Sequence, residues 1–308
     1  MSPRGLQPPA AHQGPGPIPQ PLVEALDLPV TGLVGRTLPG DRRAVGIGAG
    51  AELAQLRPYQ FGDDVRHIDP AATARSREPH VRLHVPDRAL TTWLLVDVSP
   101  SMAFGTAQRL KADVAEGVAL VLARLAIRRA GSVGLLTFGA GEPRILPPRG
   151  SKPGMVAVRR TLADGVARDG VNHPAALADA LARVGRLARQ PGLVAVISDW
   201  RSSEDAGPYD DWVRPLGGLR IHHAVLAIEI GDPREQELPP LGRLALVDPE
   251  TGERIEIDTS RRRVRERFAE LERERRERVA GELRRLRVTH VTLSTAGDWL
   301  RDLGRRLA

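Results

Sequence analysis

The stretch Thr92-Trp93-Leu94-Leu95-Val96-Asp97-Val98-Ser99-Pro100-Ser101-Met102 decides how the rest of the chain is read. Trp93 to Val96 is a continuous apolar run, the mark of a strand buried on both faces of a parallel sheet. It stops at Asp97, Ser99 and Ser101, oxygen-bearing side chains at alternate positions, and Pro100 ends the strand. A helical pattern follows from about Gln108. In an open α/β sheet, ligands gather outside the carboxyl ends of the strands, which is where these oxygens fall. One carboxylate and two hydroxyls form a hard-oxygen set suited to Mg²⁺ or Mn²⁺, which take few protein ligands and keep several waters. The same residues would also suit capping of the next helix, and spacing alone does not separate the two uses.

Asp97-Val-Ser99-Pro-Ser101 resembles the DxSxS motif of von Willebrand factor type A domains, whose metal-ion-dependent adhesion site holds a divalent cation. The resemblance implies a doubly wound, mostly parallel, Rossmann-like α/β sheet. It also implies two further ligands, a threonine from a later loop and an aspartate at the end of another strand. Val194-Ala-Val-Ile197-Ser198-Asp199 is a second buried-strand run ending in an aspartate, and Asp199 takes that place. The family pattern, run backwards from Leu177-Ala-Asp-Ala-Leu181, puts Ala175 where threonine is expected. Asn172, His173 or a water is left to fill that place; Asn172 suits it better through its amide oxygen, His173 reads more as a structural loop residue, and the missing hydroxyl implies weak cation binding.

A second stretch, Glu52-Leu-Ala-Gln-Leu-Arg57-Pro-Tyr59-Gln-Phe-Gly62-Asp63-Asp64-Val-Arg66-His-Ile68-Asp69, is dense in charge and carries no long amphipathic helix. Arginines and aspartates this close can form bidentate links that fix an irregular loop on a neighbouring surface, or can face solvent. The order Arg-x-Tyr-x-x-Gly-Asp-Asp-x-Arg-x-Ile-Asp, with Ala74-Arg75 downstream, resembles the signature of a bacterial family, domain of unknown function 58. There the signature directly precedes a type A domain. The resemblance continues through Glu78-Pro-His-Val-Arg82 and covers about residues 35 to 308. One departure stands out: the signature's tryptophan after Ile-Asp is here Pro70. By this resemblance Arg57, Tyr59, Asp63, Asp64, Arg66 and Asp69 become candidates for partner binding.

Composition narrows the classes. The chain has 308 residues and no cysteine, which excludes disulfides, zinc-thiolate sites and thiol catalysis. No apolar run reaches the roughly 20 residues needed to span a bilayer, and no basic region followed by an apolar core marks a signal peptide. A cytoplasmic protein is expected. The net charge of +7 raises nucleic-acid binding as an alternative. Lys111 and Lys152 are the only lysines, though, and the arginines are scattered, often beside Glu, with aromatics only 3% of the chain. A base-stacking platform does not follow from that pattern.

Three segments are expected: residues 1–21, rich in Pro and Gly, as a disordered tail; 22–90 as a small irregular or β subdomain with the signature; and 91–308 as the type A-like domain. Gly46-Ile-Gly48-Ala-Gly50 lacks the Lys-Ser/Thr of a phosphate loop and reads as a turn. Further along, helices are expected over 108–129, 155–166, 174–189, 209–216, 259–287 and 298–307. Strands are expected over 132–138, 145–146, 220–230 and 288–293, with a hairpin of 244–247 and 254–257. On this reading His222 and His223 start a strand and point to opposite faces.

There is no GxSxG elbow, HExxH or P-loop. The nearest enzymatic alternative is a Mg²⁺-dependent phosphotransferase or hydrolase with Asp97 as nucleophile, but the second acid such enzymes need two residues on is Ser99. The expected function is therefore non-catalytic protein binding, with an acidic side chain of the partner meeting the cation. The family resemblance further implies a MoxR-type AAA+ ATPase as partner, in chaperone-like assembly or activation.

Overall fold

The computed structural model describes residues 6–7, 52–60, 63, 65, 68–85, 90–128, 130–170, 176–201 and 211–307. The chain divides into two compact units, Met1–Pro39 with Leu90–Ala308, and Gly40–Ala89. The first two described residues, β1 (Leu6–Gln7), fall in the stretch whose composition predicts disorder.

In the smaller unit, β2 (Glu52–Pro58) precedes a short helix, α1 (Pro70–Ser76), and β3 (His80–Val85) pairs antiparallel with β2. The charge-dense segment thus begins in a strand, and α1 follows directly after its last residue, Asp69. Pro70 explains the helix: it occupies the first turn, where its missing N–H costs nothing, and the Asp69 side chain caps it by accepting from Ala72 N at 2.9 Å. The residue that departs from the signature is the one that starts α1.

The larger unit continues with β4 (Thr91–Asp97), a 3₁₀ turn (Pro100–Ala103), α2 (Lys111–Arg128), β5 (Ser132–Phe138), β6 (Ile145–Gly150) and α3 (Ser151–Leu162). Next come β7 (Val166–Ala167), which pairs with β1, then α4 (Ala176–Leu187), β8 (Gly192–Ser198), α5 (Val213–His222) and β9 (Ala224–Gly231). The chain closes with α6 (Pro233–Gln236), the hairpin β10 (Arg243–Val247) and β11 (Arg254–Asp258), α7 (Arg262–Arg285), β12 (Thr289–Ser294) and α8 (Trp299–Leu307).

Six strands form the main sheet in the order β12-β9-β8-β4-β5-β6, all parallel except the edge strand β6. Alternating side chains serve opposite faces. Leu94, Val96, Leu135, Ile197 and Leu226 pack with α2, α3 and α8, while Trp93, Leu95, Leu136, Val194 and Val225 pack with α4, α5 and α7. Each such side chain, fully buried, contributes about 1.5–3 kcal/mol. With helices on both faces, the sheet is the doubly wound α/β arrangement expected of a type A domain. The order of strands reverses between β4 and β8, and at such a switch point the loops part to leave a crevice.

Three local expectations are corrected. β6 runs through Pro147 and Pro148, expected to stop it, because an edge strand pairs on one side only and the register shifts between Val133 and Leu135. His222 ends α5 and His223 caps it, its N–H donating to Leu219 O at 2.9 Å, so neither begins a strand. Buried Leu216 and Leu219, one helical turn apart, hold that turn in the helix. α3 begins and ends four residues earlier than expected, because Val166 and Ala167 leave the helix to pair with β1.

Candidate functional site

Strand ends at the switch point deliver the first groups. Asp97 is buried at the end of β4, and its Oδ1 accepts from Ser99 N at 2.9 Å. Its Oδ2 accepts from Ser198 Oγ at 2.6 Å, across the β4–β8 pairing. Ser99 and Ser101, both buried, place their hydroxyl oxygens 3.1 Å apart. The Ser99 side chain makes no capping bond to the 3₁₀ turn, and at the start of α2 it is the Asp113 carboxylate, within the first turn, that accepts from Leu110 N at 3.0 Å. Capping, the other use these residues could have had, therefore does not engage the serine hydroxyls.

Gly139, just past β5, makes room for this cluster. Its φ is +87°, and a Cβ there would lie 2.7 Å from Asp97 Oδ1 and from Ser99 Cβ. Only glycine accommodates both the backbone and the approach.

Asp199 lies at the same sheet edge, one residue beyond Ser198, but its carboxylate is engaged by a side chain the sequence reading did not single out. Lys111, fully buried at the start of α2, donates from Nζ to Asp199 Oδ2 at 2.7 Å and to Glu235 Oε1 at 2.7 Å. Arg201 N donates to Asp199 Oδ1 at 3.0 Å. Burial alone would raise the Asp199 carboxyl, yet the charges of Lys111 and Arg201 and the hydrogen bonds to them hold it far below the ordinary range. From there a chain of ion pairs runs through Arg201–Glu272, Glu272–Arg275 and Arg275–Glu229, and His290 Nε2 lies 3.0 Å from Glu229 Oε2. Asn172 and Ala175 lie outside the described residues.

A further carboxylate reaches the cluster from the β10–β11 turn. Glu250 Oε1 accepts from Ser101 N at 3.2 Å. Burial and then the charge of Asp97 push Glu250 up to about 7. Burial and then the charge of Asp199 push Asp97 up to about 6, against the hydrogen bonds from Ser198 and Ser99. Both shifts show the same imbalance: Lys111 and Arg201 are matched by Asp199, Glu235 and Glu272, and among the described residues no cationic side chain pairs with Asp97 or Glu250.

Among the described residues no three His, Asp or Glu side chains converge to hold a metal. A cation here has to draw on hydroxyls. The donor set fits that requirement: all-oxygen, anionic at Asp97, with two serine hydroxyls together and a glycine keeping the space clear.

The signature residues form a separate cluster in the smaller unit. Arg57 Nη2 meets Asp63 Oδ1 at 2.8 Å, and Asp63 Oδ2 accepts from Gln60 N at 2.9 Å. The Arg57 bond first, and the Gln60 bond second, hold the Asp63 carboxyl below its ordinary value. Half-buried Tyr59 joins the backbone by donating its N–H to Pro79 O at 2.7 Å. Asp69 is the buried cap of α1, and Asp64 and Arg66 lie outside the described residues.

Fold and site together define a doubly wound α/β protein with a hard-oxygen cluster at its switch point. The chain belongs to the family described as "Protein of unknown function DUF58", whose model matches residues 55–278. It is 38% identical over 291 residues to the uncharacterized protein Rv1480 of Mycobacterium tuberculosis, covering 93% of this chain and 88% of that protein. Remote likenesses among solved structures include BatB from Bacteroides thetaiotaomicron (TM-score 0.43, 14% identity, 71% of this chain and 97% of that chain). Another is the SpRpn10 VWA domain (TM-score 0.33, 18% identity, 46% of this chain and 75% of that chain).

Proposed function

We propose that the protein is a non-catalytic, cation-dependent protein-interaction module. The observation that carries this reading is the buried Asp97–Ser99–Ser101 oxygen cluster, kept open by Gly139 at the crevice of the sheet. Asp97, Ser99 and Ser101 would hold Mg²⁺ or Mn²⁺. Asp199 shapes the field from behind through Lys111, and Asn172 is the proposed contribution of the loop before α4. When bound, the cation supplies an exchangeable position for a carboxylate of a partner protein. The chain's own part is to fix the two hydroxyls and hold the Asp97 carboxylate in place through Ser198 and Ser99 N.

The partner we propose is a MoxR-type AAA+ ATPase, met in the cytoplasm and acting with this protein in chaperone-like assembly or activation. The family resemblance supports that choice, and the signature residues Arg57, Tyr59, Asp63, Asp64, Arg66 and Asp69 are proposed as its contact surface. Nucleic acid is disfavoured because several arginines of α7 are paired with glutamates along the helix, as in Arg262–Glu266, Arg267–Glu270 and Arg285–Glu282. The test is affinity capture of the tagged protein from its own cell extract, with Mg²⁺ or with chelator. The ATPase should be retained with Mg²⁺, released by chelator and absent with Asp97→Ala. Retention that ignores both changes would contradict the reading.

One observation favours a second reading. Glu250 supplies, in space, the acid missing at position 99, so Asp97 and Glu250 could serve as nucleophile and general acid–base in phosphoryl transfer. Mg²⁺-dependent hydrolysis of an aryl phosphate, abolished by Asp97→Asn, would establish it. No turnover would leave the binding reading alone.

A further inference from the structure

Glu250 lies in the turn of a hairpin that is not part of the main sheet, 149 positions along the chain from the residue it touches. The turn is built to aim it. Asp248 accepts from Glu250 N at 2.9 Å through Oδ1 and from Thr251 Oγ1 at 2.9 Å through Oδ2, and its carbonyl accepts from Gly252 N at 2.8 Å. Gly170 N donates to Pro249 O at 2.9 Å and fastens the turn to the residues that follow β7. Elsewhere the hairpin is lightly held, with Val247 and Ile255 exposed. A well-fixed turn on a loosely packed hairpin thus sets one carboxylate against Ser101, beside a second carboxylate, Asp97. Two carboxylates brought together with no cationic side chain among the described residues paired to either are mutually repulsive, and a divalent ion between them reverses the sign of that interaction.

From this geometry we propose that Glu250 is the chain's own carboxylate ligand for the cation held by Asp97, Ser99 and Ser101. The proposal rests on the cation site of the proposed function and deepens it. Glu250 takes the coordination position that would otherwise receive a partner's acidic side chain. A partner then enters by displacing the β10–β11 hairpin, not by filling an open position. The competing account is that Glu250 only caps the 3₁₀ turn through Ser101 N, which needs no cation.

Two measurements on the full chain decide between them. Hydrogen exchange of the wild type, with and without Mn²⁺, should show residues 243–258 exchanging more slowly with the cation, along with residues 97–103. Calorimetry should show Glu250→Gln binding Mn²⁺ about tenfold or more weakly than wild type, with the hairpin protection lost and that of 97–103 retained. If Mn²⁺ protects 97–103 but leaves the hairpin unchanged, or if Glu250→Gln binds as tightly as wild type, the Glu250 assignment is overturned while the cation site stands. If wild type binds no Mn²⁺, or Asp97→Ala binds as wild type does, the cation site and this inference fall together. The exchange arm uses unaltered protein, so it holds even if the variant folds poorly.

Discussion

At the scale of single residues, the site is governed by an excess of carboxylate charge and by one glycine. The folded surroundings of Asp97 and Glu250 both disfavour ionisation, raising the two carboxyls to about 6 and about 7. An acid whose folded pKa is raised stabilises the fold fully below its ordinary value, and that contribution fades as pH rises through the folded value. Cation-free protein should therefore melt at a lower temperature at pH 8 than at pH 5. For Asp97 alone the change between those two pH values is on the order of 1–1.5 kcal/mol, because pH 5 already lies above its ordinary value. Mg²⁺ or Mn²⁺ should restore the loss at pH 8, because it binds the ionised form. His223, which burial holds below its ordinary value, gives the opposite slope as pH falls. Differential scanning calorimetry of wild type and Asp97→Asn separates them, since His223 is common to both while the substitution removes the titration of Asp97 and the charge that helps raise Glu250. Gly139→Ala should cost about 1–3 kcal/mol through its left-handed backbone and weaken Mn²⁺ binding, because the new methyl meets Asp97 and Ser99. An Ala variant with unchanged stability and affinity would mean the cluster can move aside. Asp97, Ser99 and Ser101 were legible in the sequence, because a buried run that stops in alternating oxygens leaves them at a strand end. Gly139 was not, since nothing local to it marks which strand end it faces.

At the scale of elements, the start of α2 and the turn after β10 matter more than their sequences suggest. Lys111 sits fully buried between Asp199 at the end of β8 and Glu235 in α6, so one ammonium ties three elements together. Removing one partner of such a buried group typically costs about 3–5 kcal/mol. Lys111→Met should accordingly lower the melting temperature by about 10 °C in a domain of this size. A loss of only a degree or two would show that Asp199 and Glu235 find other partners or water. The strands themselves were readable: β5 matches its expected span, and the ends of β4, β8 and β12 fall within a residue or so, because burial on both faces writes a continuous apolar run. Where the reading failed, a competing local effect explains it. An edge position tolerated the prolines of β6, and Pro70 began a helix that the sequence reading did not place. Lys111 and Glu250 were invisible for a different reason. Their partners lie 88 and 149 positions away, and no local pattern encodes a contact at that separation.

At the scale of the whole molecule, the strand order reverses between β4 and β8, and that reversal places Asp97 and Asp199 side by side at the crevice. The alternation of apolar runs with helical periods was enough to give the doubly wound sheet, whereas the hairpin's role in completing the site depends on tertiary folding. The smaller unit carries the signature as a β2–α1–β3 arrangement with Arg57 and Asp63 paired near the surface. The account as a whole depends on whether a divalent cation sits in the oxygen cluster. Crystals grown with Mn²⁺, with data collected at its absorption edge, address this most directly. The account predicts one strong anomalous peak within about 2.3 Å of oxygens of Asp97, Ser99 and Ser101, with Lys111 still on Asp199. No peak at the cluster under saturating Mn²⁺, or a peak on Asp199 with Lys111 displaced, would contradict it.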